Sequence, residues 1–200
     1  MDSSLTKLSI SYETIKDMLS YRGFIIKKLP IEYKSSVRVS NKKEIVEIRY
    51  LVSDSRINTK KITTTIDSIW NNLKKSDKSK EVTIILVINE TKLTPSVEAI
   101  VQNLNNKYNI YIQVFSIKNL LFDITKHKMC PKHIRIQKSE YQHFIIDFLD
   151  SHHIASLDCL PKIKEYDPVA KYLGLRKGDL CKIIRPSKSA GLITVYRYCT

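Results

Sequence analysis

Apolar positions in the first part of the chain recur at two spacings, and each change of spacing marks an element. Leu8, Tyr12, Ile15 and Leu19 lie three or four residues apart, the repeat of one helix face, which predicts a helix over 5–21 with Gly23 as its stop. "FIIKKL" (24–29) reads as a strand. Val46, Ile48, Tyr50 and Val52 alternate as in a half-exposed strand, and Ile62, Ile66, Ile69 and Leu73 return to helical spacing. "KKSDKSKE" reads as a solvated loop. "VTIILVI" (82–88) is an unbroken β-branched run, the pattern of a strand covered on both faces. A helix is predicted from Pro95 to about Asn105, with Val97, Ile100, Val101 and Leu104 on one face, and "IYIQVF" (110–115) supplies the next strand. The interval between these strands accommodates a helical crossover, so they predict a βαβ unit with parallel strands and a right-handed connection.

From "MCPKHIRI" onward the pattern shortens. Ser139 is placed to cap a helix running to about Ser151, and Asp167 with Pro168 opens a short helix that Gly174 ends. "LCKIIR" and "LITVYRYC" read as strands joined by "PSKSAG". Three of the chain's four glycines, Gly174, Gly178 and Gly191, stand at these reversals, where the backbone must turn sharply. The reading is an α/β domain over 1–129 and a small α+β module with a β-hairpin over 130–200, the boundary lying near His127 to Pro131.

Composition narrows the class. Two hundred residues at 42% apolar content are enough for a buried core. No apolar run reaches the length of about 18 residues needed to span a bilayer, and "MDSSLTKLSI" lacks the pattern of a signal peptide. The expectation is a soluble intracellular protein with no membrane partner. Lys and Arg number 34 against 20 Asp and Glu, a net charge of +14 compatible with a polyanionic partner. The excess is spread along the chain, and abundant lysine and isoleucine with scarce alanine and glycine also fit an AT-rich genome. Cys130, Cys159, Cys181 and Cys199 contain no C-x-x-C pair and read as reduced, mostly buried thiols.

The stretch "DPVAKYLGLRKGDLCKIIRPSKSAG" (167–191), followed by "VYR", resembles the signature of the fifth-largest subunit shared by the eukaryotic nuclear RNA polymerases, whose carboxy-terminal part is similar to a small subunit of the archaeal RNA polymerase. "YRGF" (21–24), "LTPSV" (93–97) and "CPKHIRI" (130–136) are similar to further family positions. Lys188 stands where the family usually has an acid, Leu192 and Ile193 replace a typical Arg-Tyr pair, and "HKMCPKH" lacks the usual Glu-Leu-Val. The resemblance implies an amino-terminal domain of restriction-endonuclease-like fold in the jaw facing downstream duplex DNA, and a carboxy-terminal module that docks on the largest subunit. It implies a noncatalytic role without cofactor or small-molecule substrate, in a nucleus or, for a viral homologue, a viral factory or virion. Asp167, Pro168, Tyr172, Gly174, Gly178, Lys182, Ile184, Arg185, Ser187, Tyr196 and Arg197 are the positions expected to shape or present the docking face.

"LTPSVEAIV" is the candidate nucleic-acid contact. Thr94 suits a helix N-cap and Pro95 the first helical position, so backbone N–H groups and the positive helix end lie beside the Thr94 and Ser96 hydroxyls, an arrangement that holds a phosphate without reading sequence. A capped helix with no ligand is the plain alternative. His127, Cys130 and His133 invite a metal reading, but Pro131 interrupts them and no fourth ligand has suitable spacing. "ETK" (90–92) echoes the Glu-x-Lys half of a magnesium nuclease, yet needs a second acid that neither Asp54 nor Asp77 clearly provides. No nucleophilic triad or glycine-rich phosphate loop is present. The alternatives to a polymerase subunit are a magnesium-dependent nuclease and a free-standing DNA-binding protein.

Overall fold

A computed structural model describes residues 3–25, 36–41, 43–52, 57–73, 79–91, 93–142, 145–151 and 153–200. The chain divides into two compact units, Met1–Phe122 and Asp123–Thr200. The division falls before the 129/130 boundary read from the sequence, and the Asp123 carboxylate accepts a hydrogen bond from the Tyr172 hydroxyl at 3.0 Å, within the second unit.

The first unit contains α1 (Ser3–Tyr21), β1 (Ser36–Ser40), β2 (Glu44–Leu51), α2 (Thr59–Asn71), β3 (Glu81–Ile88), α3 (Pro95–Tyr108) and β4 (Tyr111–Ser116), followed by a 3₁₀ turn over Ile117–Leu120. The sheet runs β1-β2-β3-β4, with β1 antiparallel to β2 and the other pairings parallel. On one face Val82, Ile84, Leu86 and Ile88 pack with Ile62, Ile66 and Ile69 of α2 and Val97, Val101 and Leu104 of α3. The other face meets α1, where Tyr12 stacks on Tyr50 and the Arg22 guanidinium donates to the buried Gln113 amide oxygen at 2.9 Å. Burying each such Val, Ile or Leu contributes about 1.5–3 kcal/mol, so this sheet holds most of the unit's stability.

The sequence reading needs two corrections here. β2 is not half-exposed, because it lies between two strands with helices on both faces, and Ile45, Val46, Glu47 and Ile48 are all buried. Its one buried charge is paired: Glu47 accepts from Arg38 Nε at 2.7 Å and lies 3.3 Å from Arg49 Nη2. β1 was not foreseen. The β1–β2 turn is closed by Asn41 Oδ1, which accepts from the Lys43 and Glu44 amides. The strand expected over 24–29 lies mostly outside the described residues, and Phe24 and Ile25 are in irregular chain.

The second unit has a 3₁₀ turn over Ile124–Lys126, then β5 (Lys132–Ile136), α4 (Lys138–Tyr141), α5 (Ile145–Ser151), a 3₁₀ turn over Leu157–Cys159, β6 (Lys162–Ile163), α6 (Pro168–Leu173), β7 (Leu180–Ser187) and β8 (Gly191–Cys199). Its sheet runs β5-β7-β8-β6. Tyr141, Phe148, Leu160 and Leu180 form the core on one face, with Tyr196 and Tyr198 packed against it. The helix predicted from Ser139 begins instead after Gln137, whose side chain forms a capping box with Glu140, because Ser139 is already inside the first turn. "PSKSAG" is not all loop: Pro186 and Ser187 belong to β7 and only Lys188–Ala190 turn. The cysteines are free, but only Cys181 and Cys199 are buried, Cys130 being intermediate and Cys159 exposed. Among the described residues no helix is long and apolar enough to cross a membrane.

Candidate assembly hairpin and nucleic-acid surface

The candidate docking residues divide into a frame and a projecting hairpin. In the frame, Asp167 caps α6: its Oδ1 accepts from the Val169 amide at 2.8 Å and the Ala170 amide at 3.3 Å, while Pro168 opens the helix where no N–H is needed. Gly174 ends it with φ 69°, a left-handed conformation that disfavours a side chain. Tyr172 is buried and ties α6 to Asp123. Burial pulls the Asp123 carboxyl upward, but hydrogen bonds from Thr125 and Tyr172 together with the nearby Lys126 ammonium hold it below its ordinary value. Gly178, at φ 93°, accepts the Tyr141 hydroxyl at its carbonyl and donates to the Cys199 carbonyl at 3.0 Å.

Asp179, absent from the sequence-based selection, is the hub of this frame. Its side chain is 5% exposed, and it accepts from Arg135 Nε at 2.7 Å, the Arg176 amide at 2.9 Å and the Lys138 amide at 3.1 Å. One carboxylate thereby joins β5, the start of α4 and the turn before β7. The only signal in the sequence was an acid beside a turn glycine in "RKGDL".

The remaining positions lie on the hairpin. Lys182 and Ile184 are half-buried on the sheet face that carries Tyr196, which meets Phe148 edge-on at 4.8 Å. Arg185 and Arg197 lie exposed on the opposite face, Arg197 reaching the Lys162 carbonyl at 3.5 Å. Ser187 sits at the turn, where its hydroxyl accepts from the Ala190 amide at 3.4 Å. The structure therefore brings together two sets: Asp167, Pro168, Tyr172, Gly174 and Gly178 hold the backbone, and Lys182, Ile184, Arg185, Ser187, Tyr196 and Arg197 line the hairpin.

In the first unit Thr94, Pro95 and Ser96 are all exposed at the start of α3. The Thr94 carbonyl accepts from the Val97 and Glu98 amides, as an N-cap requires, but its hydroxyl does not cap and lies 3.2 Å from Ser96 Oγ. Both hydroxyls thus stand at the helix end, with Glu98 in the first turn as the opposing charge.

The other candidate chemistry is occupied by structural bonds. Glu90 Oε1 accepts from the Ile57 amide at 2.8 Å and braces the entry to α2; Lys92, Asp54 and Asp77 lie outside the described residues. His133 Nδ1 donates to the Pro131 carbonyl at 2.7 Å, and the Met129 amide donates to His127 Nδ1 at 3.2 Å. Among the described residues no group of three or more potential ligands is arranged to hold a metal.

Residues 122–199 match the family model described as RNA polymerase Rpb5, C-terminal domain, which is the second compact unit almost residue for residue. A Dictyostelium discoideum protein named DNA-directed RNA polymerases I, II, and III subunit rpabc1 is 31% identical over 122 residues, covering 61% of this chain and 59% of that protein. The proteins of Caenorhabditis briggsae and Caenorhabditis elegans named subunit RPABC1 of the same polymerases are each 30% identical over 150 residues, covering 74% of this chain and 63% of theirs. The aligned stretch thus spans about six-tenths of the length of these relatives.

Proposed function

We propose that the chain is an Rpb5-like, noncatalytic subunit of a multisubunit DNA-directed RNA polymerase, a reading supported by the match of residues 122–199 to the Rpb5 C-terminal domain. The observation that carries the reading is the coincidence of the matched residues with a separate compact unit whose turns and caps are set by the signature residues. The unit docks on the largest polymerase subunit through its sheet and hairpin, and the buried frame around Asp179 keeps that surface in one shape.

The first unit serves as the jaw. Its layered α/β sheet is the domain for which a restriction-endonuclease-like fold is proposed, and the exposed start of α3 holds downstream duplex DNA by backbone amides and hydroxyls. The contribution is positional, since Glu90 is committed to the Ile57 amide and catalysis resides on other chains. The site of action is the nucleus, or a viral factory if the gene is viral.

A tagged full-length chain recovered from its native extract is expected to bring down the largest polymerase subunit; recovery of the chain alone contradicts the assignment. Changing Pro95 and Ser96 together is expected to leave that recovery intact and weaken retention of downstream DNA, measured as salt-dependent release from the elongating complex. Unchanged retention removes the α3 terminus from the DNA site.

A further inference from the structure

Among the described residues, no strand pairs with the outer edge of β8 before Tyr198. Cys199 exchanges hydrogen bonds with the β7 side, donating to the Asp179 carbonyl and accepting from Gly178, whereas Tyr198 donates the other way, to the Pro161 carbonyl. Alternation along an antiparallel strand then turns the backbone of Leu192 and Thr194 outward. β6 pairs only with Tyr198 and Cys199, and no described strand runs beside 191–195.

This edge is apolar and cationic. Leu192 is 72% exposed and Ile193 and Val195 are half-buried, an uncovered β-branched strand of the kind that proteins usually blunt. Residues 180–199 contain Lys182, Arg185, Lys188 and Arg197 and no carboxylate. The register places Arg185 beside Ile193 and Arg197 beside Cys181, so both guanidinium groups share the face of Ile193 and Val195, and Leu192 and Thr194 occupy the other.

We propose that the open edge of β8 takes an added strand, an extended segment of a partner polypeptide that alternates apolar residues, on the face of Leu192, with carboxylates, on the face whose cations are Arg197 and, one strand further in beyond Ile193, Arg185. Main-chain hydrogen bonds to Leu192 and Thr194 supply the attachment, and the alternating side chains supply the selectivity. A second copy of this chain is the wrong occupant, because pairing β8 with itself sets Arg185, Lys188 and Arg197 against their own kind in a protein of net charge +14. The inference stands on the edge geometry and charge and does not depend on the polymerase reading.

The test uses the full chain and a capped peptide of about nine residues, a usual strand length, that alternates valine or threonine with glutamate. Amide exchange at Leu192 and Thr194 is expected to slow about tenfold or more on saturation, and a lysine-for-glutamate peptide to bind at least about tenfold more weakly. Thr194→Pro removes an outward N–H that β7 does not use, and is expected to weaken glutamate-peptide binding about tenfold with an unchanged melting temperature. If that variant fails to fold, the pair Arg185→Glu and Arg197→Glu decides, by reversing the preference toward the lysine peptide. The proposal is overturned by any of four results: no protection at Leu192 and Thr194; undiminished peptide binding by folded Thr194→Pro; protection that rises with protein concentration alone, which indicates self-pairing; or protection by a duplex oligonucleotide and not by the glutamate peptide.

Discussion

β3 and β8 are both rich in β-branched residues, "EVTIILVI" against "GLITVYRYC", yet they meet opposite fates. Every residue of β3 after Glu81 is buried, because parallel strands flank it and helices cover both faces. In β8 only Cys199 is buried, and the strand projects with β7 beyond β5 and β6. Apolar content alone does not make a strand a core strand; its neighbours decide. In β3 apolar surface is used for stability, whereas in the outer part of β8 it is left outward, available to something else.

Core substitutions test that contrast most severely. Ile85→Ala, at a fully buried site, is expected to cost about 2–5 kcal/mol in denaturant unfolding, whereas Leu192→Ala costs no more than about 0.5 kcal/mol. Comparable losses at the two positions would erase the distinction between a core strand and a presenting strand. In the second unit a polar hub adds to the apolar core, so Asp179→Ala, which strands the largely buried Arg135 and two amides, is expected to lower that unit's transition by about 3 kcal/mol. An unchanged transition would remove Asp179 from the frame.

Alkaline pH separates the units by a smaller margin. Burial pushes the Cys181 thiol from 9.0 up to about 11, with Arg197 partly opposing, and pushes Cys199 up to about 12, with Glu165 and Asp179 adding. The folded unit therefore retains thiol protons that the unfolded chain releases. Their contribution is fully present below about pH 9 and declines as pH rises toward the folded values. Tyr141, raised to about 12 mainly by burial, adds to the decline at the alkaline end. In the first unit the corresponding group is Tyr50, which starts from 10.0 and is also raised by burial, so its decline begins about one pH unit higher. Denaturant titrations at stepped pH check this: the second unit should weaken first, and replacing Cys181 and Cys199 by alanine should flatten its slope. Thiol labelling gives the smallest readout. At pH 8 Cys159 is expected to react while Cys181 and Cys199 stay protected until unfolding.

These differences also set what the sequence could reveal. β3, α3 and α6 were legible because their signals are local: an unbroken apolar run, a Thr-Pro start with helical spacing, an Asp-Pro cap and a left-handed Gly174. β5 and β6 were not, since each is short and defined by pairing with a distant strand, and β1 was not because it is only five residues long with two of its five positions apolar. Pro186 misled for a related reason. It reads as a loop residue, but it faces the side of β7 past the end of β5, where Lys132 already pairs with Ile184, so its missing N–H leaves nothing unpaired. The Asp179 hub depends on Arg135, far away in sequence, and periodicity carries no record of such a pairing. At the site, the framing residues were identifiable from turn chemistry, but which face each hairpin residue occupies required the register.

We propose that the second unit carries assembly while the first steadies nucleic acid. Co-purification with the largest polymerase subunit, measured side by side for the full chain, a chain lacking residues 123–200 and a chain lacking residues 1–122, tests it most directly. Retention after loss of 1–122 and its disappearance after loss of 123–200 is the predicted result; the reverse pattern contradicts the account.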